Sequence, residues 1–331
     1  MTGTWQQQAE EVSIGAALDK VLQVSSDLTG AMNTVIEGKE DVVRTTVTAL
    51  LAEGHLLIED VPGVGKTMLA KTLARTIDCT VRRIQFTPDL LPSDITGVSV
   101  YNQDLRSFEF RPGAVFANVV VGDEINRASP KTQSALLEAM EEAQVTVDGT
   151  TYALPHPFMV MATQNPIEME GTYPLPEAQR DRFLARISMG YPPPHAETDM
   201  LDTHSADSPL DRLQPVTDAA TISDLILSVR RVHASLAIRQ YIVDLAHATR
   251  TSSALRLGAS PRATLHLLRA ARAHAALKGR DHVLPDDVQH VLAEVWAHRV
   301  ILSGEAHLAR RSPEDVLDDL AHRTRVPGAR R

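Results

Sequence analysis

The stretch GHLLIEDVPGVGKTMLAKTLARTI (54–77) decides the fold. Its apolar run Leu56-Leu57-Ile58 reads as a buried strand. Pro62, Gly63 and Gly65 break that strand, and apolar residues at helical spacing resume after them. A glycine-rich turn between a strand and a helix is a phosphate cradle. The glycines let the backbone curl until its N–H groups face inward, and the helix start adds the positive end of its dipole. In DVPGVGKT (60–67), followed by Met68, the residues Pro62, Gly63, Val64 and Gly65 shape the cradle. Lys66 reaches the β- and γ-phosphates of a nucleoside triphosphate, and Thr67 offers its hydroxyl to Mg²⁺. Asp60 stands where the usual pattern begins with glycine.

Two further apolar runs extend this unit. VVVGDEINR (119–127) places Asp123 and Glu124 just past the end of a buried strand, the edge at which open α/β sheets bind ligands. Asp123 is the expected magnesium ligand, and Glu124 the base for an attacking water. FMVMATQNP (158–166) ends a third strand with Gln164-Asn165, an amide pair suited to fixing that water. Strands buried on both faces and alternating with helices predict a parallel sheet. Two stretches read instead as β-hairpins: 98–113, turning near Asn102–Asp104, and 144–155, with an Asp148-Gly149 turn. Beyond the third strand, LPEAQRDRF (175–183) supplies Arg180 and Arg182, the residue type that stabilises charge on a transferring phosphoryl group.

YPPP (191–194) is a stiff linker, and the chain after it is helical in pattern. The expected division is a loose N-terminus (1–12), a nucleotide-binding core (13–194) and a helical domain with a basic tail (195–331). In GASPRATL (258–265), Ser260 caps a helix with Pro261 in its first turn, so Arg262 sits at a helix start that favours anions and points to an anionic partner. His282, His290 and His298 recur at helical spacing and read as a solvated face rather than a metal site.

Of the 331 residues, 43 % are hydrophobic and 4 % aromatic, and the formal net charge is −9. Sparse aromatics and a negative balance make nucleic acid an unfavoured partner. The one cysteine, Cys79, allows no internal disulfide and fits a reducing cytoplasm. No apolar run approaches the roughly 20 residues that span a bilayer.

Together these segments resemble the AAA+ ATPases and, within them, the MoxR family. The resemblance runs from about residue 13 to about 320 and rests on VIEGKEDV (35–42), EDVPGVGKT (59–67), RIQFTPDLLPSDITG (83–97), FRPGAVFANVVVGDEINRASPKTQSALLEAMEE (110–142) and MATQNPIEMEGTYPLPEAQRDRF (161–183). It implies an α/β fold: a P-loop parallel-sheet core bearing a helix-2 insert and a pre-sensor-1 insert, the two hairpins, followed by a small all-α lid. Lys66 and Thr67 match Walker A, Asp123 and Glu124 Walker B, Asn165 sensor 1 and Arg262 sensor 2. Arg182 matches the arginine finger that acts on the ATP of a neighbouring subunit. Val35, Ile36 and Gly38 lie where the family contacts adenine. Arg180 departs from the family pattern, which often has an apolar residue there, and Gly122 stands where alanine or leucine is commoner.

The resemblance further implies ATP and Mg²⁺ as ligands and hydrolysis of ATP in a ring, usually a hexamer. The implied role is chaperone-like maturation of a protein client, often with a partner carrying a von Willebrand factor A domain. Two other readings use the same motifs: a nucleic-acid-acting motor, and a metal-insertion subunit of the magnesium-chelatase kind.

Overall fold

The structure is a computed structural model, and it describes residues 2–61, 63–165, 173–194, 197–198 and 209–327. Pro62 and part of the 161–183 signature lie outside the described residues, as does the end of the basic tail. Two helices, α1 (Thr2–Asn33) and α2 (Glu40–Leu51), lead into β1 (Leu56–Glu59). The first helix begins inside the stretch expected to be loose. Trp5 to Val12 contains no glycine or proline that would stop it. The core continues with α3 (Lys66–Thr76), β2 (Val81–Gln85), α4 (Pro92–Thr96), β3 (Gly97–Asn102), β4 (Ser107–Pro112), β5 (Val119–Asp123), α5 (Pro130–Glu142), β6 (Gln144–Val147), β7 (Thr150–Ala153), β8 (Met159–Gln164), α6 (Glu177–Arg180) and β9 (Ala185–Ile187).

Five of these strands form one sheet in the order β2-β5-β8-β1-β9, and every neighbouring pair is parallel. The all-apolar runs explain the arrangement. Residues 119–123 are buried throughout, as are 159–163, because helices cover both faces of the sheet. Gly122 has a packing reason: a Cβ there would lie 3.0 Å from the Phe86 ring. Both hairpins form as expected. Asp148 and Gly149 take φ of 49° and 78°, the left-handed pair that a two-residue hairpin turn requires.

The second half contains α7 (Pro209–Arg212), α8 (Ala219–Arg230), α9 (Leu236–Thr251), β10 (Leu255–Leu257), α10 (Pro261–Leu277), α11 (Pro285–His290), α12 (Leu292–Trp296), β11 (Ile301–Leu302), α13 (Gly304–Leu308) and α14 (Pro313–Arg323). Among the described residues it is helical apart from β10 and β11, a short antiparallel pair that the sequence reading did not anticipate. Serine followed by proline starts α5, α10 and α14. In each, the serine oxygen accepts a backbone N–H while proline occupies a position whose N–H needs no partner. One apolar cluster runs from Leu18 and Val21 of α1 through β1 to Trp296 and Leu317, so the two halves share a core.

The histidines expected on one solvated face are dispersed. His282 is exposed ahead of α11 and His290 ends it. His298 lies beyond α12 and is 2 % exposed. One helix ends at His290, the next begins at Leu292, and His298 lies past its end, so a single helical spacing does not hold across the three. Cys79 is half-buried just after α3, and burial pushes its thiol up to about 12, so it stays protonated and unreactive.

Candidate active site

Sheet order places the expected groups side by side. The P-loop leaves β1, Asn165 follows β8 and the acidic pair ends β5, and these three strands are consecutive neighbours. All three ends open on the carboxyl edge of the sheet. The Asp60 N–H donates to Gln164 O at 3.2 Å, stitching the P-loop to the β8 end.

Gly63 and Gly65 have φ of 87° and 90°, conformations that turn successive N–H groups to one side, and Gly65 caps α3. The Lys66 ammonium donates to Asp60 O at 2.8 Å. The Thr67 hydroxyl donates to Asp123 Oδ2 at 3.3 Å, and Thr163 reaches Asp123 Oδ1 at 3.3 Å. A hydroxyl and a carboxylate meeting beside a glycine nest are the oxygen donors Mg²⁺ takes with phosphates, so the residues present fit Mg²⁺ and a nucleotide. Val35, Val64 and Met68 are half-buried against the apolar cluster that includes Ile36 and Met189. That leaves apolar surface near the loop, of the kind an adenine ring packs against.

Asp60, the departure from the usual glycine, has a definite task. It is 8 % exposed, and its carboxylate accepts from Val61 N–H at 2.9 Å, Gly190 N–H at 2.6 Å and Ser188 Oγ at 3.1 Å. Burial raises its pKa, but the Gly190, Val61 and Ser188 hydrogen bonds outweigh that and hold it below the usual carboxylate range. Nearby, Lys39 donates to Tyr191 O at 2.8 Å, and a Cβ on Gly38 would sit 2.9 Å from Pro193. The expected adenine loop, the base of the P-loop and the chain leaving the core therefore converge.

The acids are held by residues the sequence reading passed over. Arg83 Nε lies 2.5 Å from Asp123 Oδ2, and Gln85 Nε2 donates to Glu124 Oε2 at 2.9 Å. Arg127 pairs with the same Glu124 oxygen at 3.1 Å. Glu124 itself is left-handed, with φ of 59°, and its N–H donates to Thr163 Oγ1 at 3.0 Å. Such a conformation costs a non-glycine residue about 1–3 kcal/mol, and strain of this kind gathers at functional sites. The signal for Arg83 and Gln85 was available: on strand VRRIQ they alternate with Ile84 and so face one side. Asn165 is 6 % exposed between the P-loop and the acids.

The arginines are elsewhere. Arg182 Nε lies 3.0 Å from Glu141 Oε2, and Arg262 pairs with the other oxygen of the same carboxylate. Glu141 is near the end of α5, beside Met140, whose carbonyl accepts from His55 Nε2 at 3.0 Å. His55 precedes β1, and its Nδ1 accepts from Val160 N–H, which fixes the tautomer; burial lowers its pKa to about 4, so it stays neutral. Leu184 N–H donates to His55 O at 2.8 Å. Arg182, Arg262 and Glu141 thus gather at the amino edge of the sheet. The whole length of β1, roughly 13 Å for four residues, separates them from the P-loop of the same chain.

A family model described as "ATPase family associated with various cellular activities (AAA)" matches residues 55–185, and an AAA lid domain model matches 247–327. The chain is 50 % identical to the protein YeaC of Bacillus subtilis (strain 168), over 89 % of this chain and 92 % of that one. It is 43 % identical to the chaperone MoxR1 of Mycobacterium tuberculosis, over 88 % of this chain and 80 % of the relative. A crystal structure from Cytophaga hutchinsonii, of a protein assigned as an ATPase, superposes with a TM-score of 0.88 at 36 % identity, covering 98 % of this chain and 99 % of that one. A parallel five-stranded core, a helical second half, matches to both parts and extended identity to a MoxR protein agree: the chain belongs to the MoxR family of AAA+ ATPases.

Proposed function

We propose that this protein hydrolyses ATP with Mg²⁺ at sites shared between copies in a ring, six by the family pattern, and uses the cycle to mature or remodel a protein client in the cytoplasm. The observation that carries the reading is the separation of charges. The acids and the P-loop occupy one edge of the sheet, while Arg182 and Arg262 sit at the other, out of reach of their own P-loop. A head-to-tail ring brings the second edge of one copy to the first edge of the next.

In this reading Gly63, Gly65 and Lys66 bind and orient the phosphates, and Thr67 and Asp123 hold the ion. Magnesium supplies neutralising charge to the phosphate oxygens. Glu124 takes the proton of the attacking water, and Asn165 keeps that water in line. Arg182 and Arg262 leave Glu141 for the neighbour's terminal phosphate, where charge develops during transfer. The β3–β4 hairpin supports a client role. Tyr101 and Phe108 meet edge-to-face at 5.3 Å, and Phe108 is 72 % exposed, so the hairpin offers apolar surface to a protein chain. A partner with a von Willebrand factor A domain would deliver that client.

The test is the ATP hydrolysis rate per chain across a wide range of protein concentration, with Lys66→Ala and Arg182→Ala beside the parent. The expected result is a specific rate that climbs with concentration and vanishes in Lys66→Ala. In Arg182→Ala it should fall by about 10³–10⁵-fold while ATP still binds. A rate flat with concentration and indifferent to Arg182 would overturn the shared site.

A further inference from the structure

Arg299 follows α12, and its side chain is only 2 % exposed. Its Nη2 donates to Phe183 O and lies 2.5 Å from His266 Nδ1 and 3.5 Å from Leu184 O. Its Nε lies 3.2 Å from His298 Nε2 and 3.6 Å from Asp181 Oδ1. Burial lowers the guanidinium to about 10, with Asp181 pulling the other way, so it remains charged at neutral pH. Burial, then Arg299, pushes His266 down to about 2, which leaves a neutral ring able to accept at Nδ1.

A buried cation is costly, and apolar residues of similar volume would fill the space at least as well. What an apolar residue could not do is grip a backbone. Arg299 holds two successive carbonyls and one carboxylate, all within the four residues Asp181–Leu184. Asp181 is also gripped from the second half of the chain: Ser260 Oγ lies 3.0 and 2.8 Å from its two oxygens. Ser260 caps α10, whose first turn carries Arg262. Trp296 Nε1 donates to Ala263 O at 3.0 Å and locks the stretch before Arg299 onto the same helix. The two arginines that meet on Glu141 are therefore mounted on one assembly, with Arg299 at its buried centre.

We propose that Arg299 is a positioning residue: it fastens the segment 181–184 to the helical second half, so that Arg182 and Arg262 are carried as one unit. The inference rests on the reading that these two arginines serve a neighbour's ATP. It adds a device by which the position of the helical half sets the geometry of a site on another copy.

The experiment compares Arg299→Lys with the parent by hydrogen–deuterium exchange, ATP affinity and hydrolysis rate, and combines it with Arg182→Ala. Lysine keeps the charge but has no fork to span the carbonyls and Asp181. Expected is faster exchange across 181–187 with the P-loop peptides unchanged, ATP affinity within about twofold, and a rate lower by about tenfold. The double variant should lose clearly less than the product of the two single losses, because residues acting as a unit are not additive. Unchanged exchange across 181–187 overturns the proposal, and so do rate losses that multiply. If the parent rate is indifferent to Arg182, the shared-site reading fails while the exchange data still decide whether Arg299 holds the segment. Should Arg299→Lys not fold, Asp181→Ala removes the carboxylate that Ser260 and Arg299 hold and is held to the same outcomes.

Discussion

At the carboxyl edge of the sheet the functional groups are held from within the core. Asp123 is fixed by Arg83, Thr67 and Thr163, and Glu124 by Gln85 and Arg127, all within the first half of the chain. At the amino edge the arginines depend on the second half, since Asp181 and the 183 and 184 carbonyls are held by Ser260 and Arg299. The carboxyl edge also stores backbone strain at Glu124, whereas the amino edge stores a desolvated cation. In the proposed reading, binding ATP and completing the reaction are thus supported by different parts of the fold. A shift of the helical half can change the second with little effect on the first.

Beyond the losses expected for Lys66→Ala and Arg182→Ala, the next largest effect should come from separating the edges genetically. Glu124→Gln removes the proposed base and should lower hydrolysis by about 10²–10⁴-fold with ATP still bound. Mixed with Arg182→Ala, which is deficient at the other edge, it should regain activity. An Arg182→Ala copy supplies Glu124 to a site whose arginine comes from a Glu124→Gln neighbour. In a randomly mixed head-to-tail ring about a quarter of the sites are complete in this way. Titrating one variant into the other and reading phosphate release gives the answer, and two inactive variants that stay inactive at every ratio would rule out a site built from both edges.

The carboxyl edge was largely legible in the sequence and the amino edge was not, for a physical reason. A P-loop and an acid pair at a strand end are written in short stretches whose chemistry follows from local backbone geometry, as at Gly63-Val64-Gly65 and Val121-Gly122-Asp123. The hairpin at Asp148-Gly149 is equally local. Arg182 and Arg262 read as anion-seeking residues, but their meeting on Glu141 joins positions 41 and 121 apart in the chain. Asp60 looked like a lapse from the glycine pattern until its bonds to Ser188 and Gly190 were in view. Arg299 sits in an ordinary-looking AHRVIL run, and only tertiary packing buries it. The dispersed histidines make the same point: helical spacing loses its meaning where α12 ends and His298 turns into the core.

A smaller effect is expected at Gln85. The amide aims Glu124 by donating to its Oε2 and leaves the carboxylate itself in place, so Gln85→Ala should lower the turnover rate by about tenfold, equivalent to about 1.4 kcal/mol of barrier. Affinity for ATP should be unchanged, because none of the phosphate-cradle residues is altered. A rate unaffected within error would mean that Arg127 alone aims Glu124. A loss of affinity would mean that the β2 strand supports the phosphate cradle as well.

The smallest effect belongs to an exposed contact that joins the same two halves without touching the arginine assembly. Arg230 at the end of α8 forks onto Glu53 just after α2, with Nε 2.5 Å from Oε2 and Nη2 2.6 Å from Oε1. Glu53 draws the Arg230 pKa upward, yet the arginine side chain is 59 % exposed, so solvent screens most of the attraction. Glu53→Gln should therefore cost less than about 1 kcal/mol in a denaturant titration. Hydrolysis and ATP affinity should stay at the parent values. Glu53→Gln thereby separates mere contact between the halves from the buried grip on 181–184. If Glu53→Gln slows hydrolysis as much as Arg299→Lys does, then any loosening of the helical half suffices and the amino edge has no dedicated support.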